Sequence, residues 1–200
     1  MAEHERFVRS RLSQVETDEV ARVDELAGRL LTHLDNSVEL IAALNIYGAQ
    51  SKAIQDTVGK VLVDELSFGS EIVLTPQDGL VTRARPDFFF DLGRSRGVIA
   101  EVERGGTTAN NHDLKDLWKA HIAVNAQHLF LVVPIELQNE HGRVRERPYR
   151  KVVRRVGAFF GDARSTYSVR TSSDTDRPSG RWETRRGPPG GMSGGAGWPG

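Results

Sequence analysis

Apolar residues return near heptad spacing at Val20, Val23, Ala27, Leu30, Leu34 and Ile41, which predicts an amphipathic helix over 16–44. Asp35-Asn36-Ser37 breaks it, and Asn36 or Ser37 is placed to cap a new helix. At about two heptads the stripe fits a helix laid on the domain core better than a coiled-coil seam. A second stripe, Ile54, Val58, Val61, Leu62 and Leu66, predicts a helix over 51–66 that Phe68-Gly69 stops. Residues 71–74 then begin a strand that Pro76 and Gly79 end.

The pattern next changes to period two. The aromatic run 85–92 reads as a strand, 93–97 as a turn and 98–103 as a second strand ended by Gly105-Gly106. Alternation puts Phe88, Phe90, Val98, Ala100 and Val102 on one apolar side, and Asp87, Asp91, Glu101 and Glu103 on the other. A turn centred near Ser95 pairs 87 with 103 and 89 with 101, bringing Asp87, Glu101 and Glu103 within cross-strand reach.

A helix follows over 110–125. Leu114, Leu117, Trp118, His121 and Ile122 are its expected buried face, with Asn111 near the centre of that face, Lys115 at its edge, Lys119 further round and His112 exposed. The apolar run 128–135 predicts a strand buried on both faces. From 143 to 155 one acid, Glu146, stands among seven basic residues, Arg143, Arg145, Arg147, Arg150, Lys151, Arg154 and Arg155. Tyr149, Val152, Val153, Val156 and Phe160 keep helical spacing, so a helix with one apolar and one basic face is expected. Such a basic face suits a phosphate backbone; the plainer alternative is a solvated outer face.

Composition narrows the choices. The 200 residues allow one domain of about 150–170 residues plus a tail. From Thr171 onward Ser, Asp, Arg, Pro and Gly dominate, a composition expected to be disordered, in which Trp182 and Trp198 are either incidental or anchors for a partner. The absence of Cys removes disulfides and thiolate metal sites, and the six His lack zinc spacing. With no apolar run of membrane length and no signal-peptide pattern, a cytoplasmic protein without membrane contact is expected. Twenty-seven basic residues balance 27 acidic ones, so any nucleic-acid affinity must come from how charge is distributed.

The clustered acids raise a chemical question. Adjacent carboxylates repel, and one takes up a proton unless a cation compensates them. Either Arg85, Arg94, Arg96 and Arg104 pair with them on a solvated face, or a hard divalent ion does, with Mg²⁺ suited to one or two carboxylates plus water and phosphate oxygens.

Pro86-Asp87, a hairpin, Glu101-Val102-Glu103 and a following helix resemble the PD-(D/E)XK nuclease superfamily, over roughly 51–135. The resemblance implies a restriction-endonuclease-like αβββαβ core, an α/β fold with a central mixed sheet flanked by helices. Residues 1–48 would be an N-terminal helical segment, 49–165 the core and 166–200 the tail. It further implies that Asp87, Glu101 and the Val102 carbonyl hold Mg²⁺, or Mn²⁺ in its place. Glu103 stands where the family usually has Lys, as in some active type II restriction enzymes. In some members the Lys has moved to the next helix, which makes Lys115 the first candidate and Lys119 the second. Gln55 or Asp56 occupies the turn where the opening helix often carries a residue near the site.

The function implied is a Mg²⁺-dependent endonuclease acting on DNA, in which Asp87, Glu101, Glu103 and Lys115 are catalytic. Arg104, Asn111, Lys119, Arg150, Lys151 and Arg154 are expected nucleic-acid contacts. Cutting both strands favours a homodimer, with the N-terminal helices as one interface. The competing class is a non-catalytic nucleic-acid-binding or regulatory module, and an RNA-directed or repair nuclease is a third.

Overall fold

A computed structural model describes residues 2–9, 11–48, 51–74, 84–161 and 167–170. The expected strand-ending Pro76 and Gly79 and the tail from 171, with Trp182 and Trp198, lie outside them. The chain is α/β with a mixed central sheet and, among the described residues, five α-helices. In order they are β1 (Arg6–Arg9), α1 (Gln14–Asn36), α2 (Val38–Leu44), α3 (Ser51–Lys60), β2 (Gly69–Ser70), β3 (Phe88–Gly93), β4 (Arg96–Val102), α4 (His112–Ile122), β5 (His128–Val132), β6 (Leu137–Gln138), β7 (Val144–Glu146), α5 (Pro148–Gly161) and β8 (Tyr167–Arg170).

Ser13 starts α1 through a capping box with Glu16, and Ser37 separates α1 from α2. The apolar stripe of α1 (Val23, Leu26, Leu30) packs with Ile54 and Val58 of α3 onto Phe88, Phe90, Val98, Ala100 and Val102. Residues 1–48 therefore contribute to the central core through α1. After Lys60 the second helix loosens into a π-helical turn, Val61–Glu65, whose Val61 and Leu62 stay buried.

The sheet order is β2-β3-β4-β5, with β3–β4 antiparallel and β4–β5 parallel. Arg94 and Ser95 both have positive φ (56° and 58°), the two-residue type I′ pattern that matches strand twist. This turn sets a tighter register than expected: Phe88 faces Ala100, Phe89 Ile99, Phe90 Val98 and Asp91 Gly97. The correction is a slip of two residues, which leaves side-chain parity intact, so Asp87, Glu101 and Glu103 still share a face. Gly97 is required there, because a Cβ would lie 2.6 Å from the Phe90 carbonyl oxygen.

Three further expectations are corrected. The strand expected over 71–74 is displaced to Gly69–Ser70; a positive φ at Glu71 turns the chain, leaving only a bridge between Leu74 and Ala84. β5 is an edge strand, half-buried along its length, because among the described residues it pairs only with β4. α4 is rotated: Asp113 and Asp116 are buried, whereas Leu114 and Trp118 are exposed. α5 covers the small β1–β8 sheet, with Phe160 stacked on Phe7 at 5.6 Å, and not the central sheet.

Candidate functional site

Around Asp87 and Glu101 the acid-bearing face of β3 and β4 is covered, while Asp91 near the hairpin turn stays exposed. Phe89, Ile99 and Leu129 on that face pack against Ala120, Ala123 and Ala126, so α4 and its following turn roof it. Small alanines let the helix approach closely, and its polar stripe then meets the carboxylates.

Backbone groups hold the first two acids across the strands. The Val102 N–H donates to Asp87 Oδ2 at 3.0 Å, and the Asp87 N–H donates to Glu101 Oε2 at 3.3 Å. From the roof, Lys119 Nζ reaches Glu101 Oε1 at 2.5 Å and Asp116 Oδ1 at 3.1 Å. His112 Nδ1 is hydrogen-bonded to Glu103 Oε2 at 2.9 Å. One compartment therefore gathers Asp87, Glu101, Glu103 and Asp116 around one ammonium and one imidazole.

Burial dominates the electrostatics. Glu101 is 3% exposed; desolvation raises its pKa to about 7 against the pull of Lys119, and the charges of Asp116 and Asp87 add to the rise. Burial likewise raises Glu103, opposed by its bond to His112, and raises Asp116, opposed by Lys119. Burial alone would lower the Lys119 ammonium, but Glu101 and Asp116 outweigh it, so Lys119 is raised and keeps its charge.

The donors suit a hard cation. They are carboxylate and backbone oxygens, and Asp116 Oδ2 is buried with no hydrogen-bond partner among the described residues. Among those residues no three His, Asp or Glu side chains converge as a ready-made metal cage. Lys119 is the cation drawn between Glu101 and Asp116 instead.

Of the two candidate lysines, Lys119 joins the carboxylates and Lys115 stays exposed on the outer flank. His112, expected to be exposed, is half-buried on Glu103. Asn111, expected on the buried face, is exposed; it enters α4 at φ 55°, and its Oδ1 accepts from Arg155 at 3.2 Å. Arg104 donates to Asn45 Oδ1 at 3.4 Å and to the Ile46 carbonyl. Arg150, Lys151 and Arg154 are exposed on α5, Lys151 paired with Glu146 at 3.2 Å. Gln55 is half-buried on α3, which packs on the opposite sheet face, and none of the described hydrogen bonds joins it to the acids.

Asp113 and Asp116 escaped the sequence reading. Their signal was the i, i+3, i+6 spacing of Asp113, Asp116 and Lys119, a polar stripe competing with the apolar one. Asp113, fully buried, takes two bonds from Arg155 of α5, at 3.0 and 3.2 Å, which tie the two helices together. Compared with protein-family models, with curated proteins and with solved structures, the chain matches none.

Proposed function

We propose that this chain is a Mg²⁺-dependent endonuclease that hydrolyses phosphodiester bonds in DNA, built on a restriction-endonuclease-like αβββαβ core. The observation that carries the reading is the group of buried Glu101 and Asp116 with half-buried Asp87 and Glu103, into which α4 delivers Lys119. The order α3, β2, β3, β4, α4, β5, with β4 and β5 parallel, supports the core assignment.

Asp87 and Glu101, with the Val102 carbonyl, would hold the ion. When bound, such an ion supplies Lewis-acid polarisation and a water of lowered pKa. Lys119, two of whose three N–H donors go to Glu101 and Asp116, balances negative charge that the phosphate oxygens gain in the transition state. Glu103, fixed on one oxygen by His112, orients the attacking water. Exposed Arg150 and Arg154, one helical turn apart on α5, give sequence-independent contact with the backbone. Cutting both strands of a duplex calls for two such sites, hence a homodimer.

The test is cleavage of supercoiled plasmid with Mg²⁺ or Mn²⁺ by wild type beside Asp87→Ala and Glu101→Ala. Nicking by wild type alone is the expected result, and equal behaviour of all three sinks the reading. A labelled RNA duplex run in parallel separates DNA from RNA preference, and sedimentation at the cleavage concentration tests the homodimer.

One observation favours a second reading. Lys119 already pairs with Glu101, one of the two carboxylates that an ion would need, as in a non-catalytic nucleic-acid-binding module that keeps the fold. Salt-dependent DNA binding without cleavage would select it.

A further inference from the structure

We propose that Asp116 is a further ligand of the divalent ion, offered by the roof helix α4 to the site that Asp87 and Glu101 begin on the sheet. The inference rests on the metal reading above and adds a residue that the sequence resemblance does not include.

Two acids of α4 are buried about one helical turn apart, and the fold treats them differently. Both oxygens of Asp113 are bonded by Arg155 Nη1, at 3.0 and 3.2 Å. Asp116 is 4% exposed and takes Lys119 on Oδ1 at 3.1 Å. Its Oδ2 is buried with no hydrogen-bond partner among the described residues. A carboxylate oxygen held in that way is costly unless a proton or a cation reaches it.

Asp116 belongs to the acid group. Beyond the effect of burial, its charge raises both Glu101 and Glu103, and the charge of Asp87 raises Asp116 in turn. Glu103 stands within hydrogen-bonding reach of Asp116, yet an ionised carboxylate has no proton to give. Among the described residues four carboxylates thus face one ammonium, Lys119, and one imidazole, His112. Positive charge is short there. Mg²⁺ and Mn²⁺ prefer carboxylate oxygens and make up the shortfall. Asp116 can keep Lys119 on Oδ1 while giving Oδ2 to the ion. As they stand, Asp87, Glu101 and Asp116 do not converge on one point, so taking the ion asks these side chains to turn, a common change at binding surfaces.

The test uses the metal alone with the full chain at pH 8. Wild-type protein with isotope-labelled side-chain carboxyls would be titrated with Mg²⁺ and followed by NMR. The Asp116 resonance should move together with those of Asp87 and Glu101, while that of Asp113 stays in place. Movement at Asp87 and Glu101 without Asp116 would overturn the proposal and leave the metal reading standing. If none of the three moves, both fall. Asp116→Asn keeps the shape and an oxygen for Lys119, and should weaken Mn²⁺ binding about 10–100-fold in titration calorimetry, as losses around a metal typically do. Glu103→Gln removes the same charge from the same group and should weaken it less. Equal losses would mean that Asp116 acts through charge alone, which overturns the ligand role. Terbium, a luminescent stand-in for the ion, should hold about one more water in Asp116→Asn than in wild type, and an unchanged number also overturns it. Should Asp116→Asn fail to fold, the wild-type titration decides by itself.

Discussion

Lys119 Nζ lies 2.5 Å from Glu101 Oε1, joining the roof helix to the sheet at the deepest point of the acid cluster. Removing one partner of a buried ion pair leaves an uncompensated charge and costs about 3–5 kcal/mol. Lys119→Met should therefore lose about that much stability at pH 8 in urea unfolding, and less at pH 5.5, where Glu101 is protonated. Added Mg²⁺ should raise the Tm of Lys119→Met more than that of wild type, as a ligand of the folded state does. Cleavage should fall by about 10²–10³, as for loss of a charge-stabilising donor. Lys115→Met should stay within about twofold of wild type, as a surface change does.

Glu101 gives the stability curve its sign. Its folded value of about 7, against 4.5 for the free group, means that the folded chain holds the proton more tightly. Stability from this group falls as pH rises between those values, and below the lower one the difference vanishes. Glu101→Gln keeps the shape and removes the titration. Measured against wild type, it should gain on the order of 1–3 kcal/mol between pH 5 and pH 8, so the difference between them moves in its favour as pH rises. Calorimetric Tm values across that range check it, and a gap that widens toward acid would refute the assignment.

Arg155 matters through Asp113. Its guanidinium bonds both carboxylate oxygens of a fully buried acid, and also Asn111 Oδ1 and the Thr108 carbonyl at 3.3 Å. Arg155→Ala leaves Asp113 buried and unpaired, so it should destabilise by about 3–5 kcal/mol. Asp113→Leu with Arg155→Met should recover most of that loss, because an apolar pair of similar volume avoids the desolvation cost. Urea midpoints of the two variants decide it. Equal losses would mean that Arg155 packs rather than pairs.

What the sequence made legible was whatever rested on period alone. The stripes of α1 and α3 carry no competing polar row, so their buried faces could be read directly. The hairpin could be placed because two strands flank a glycine-bounded turn, and its register slipped because Arg94 and Ser95 take left-handed conformations that those residue types do not advertise. β1 and β8, four residues each, are too short for a periodic signal. The acid cluster was half legible. Parity joined Asp87 to Glu101 and Glu103, but Asp116 and Lys119 come from a helix whose orientation depends on ion pairs formed only in the folded chain.

That helix yields the last prediction. Its apolar stripe names Leu114, Trp118 and His121 as core, yet Trp118 is 60% exposed and its ring lies tilted against His121, at 5.7 Å. Burial of a charged stripe is tolerable because Asp113 finds Arg155 and Asp116 finds Lys119, while the apolar stripe gains little by turning inward against alanines. Trp118→Ser should then cost well under the about 3–5 kcal/mol of a core tryptophan truncation, and Leu114→Ser should fall within about 0.5 kcal/mol of wild type. Asp116→Ala should instead be disruptive, freeing a buried ammonium from one of its two carboxylates. Chemical denaturation of the three variants at pH 8 ranks them. If Trp118→Ser proves the most damaging, α4 faces the sheet with its apolar side, and Lys119 is not at the acids.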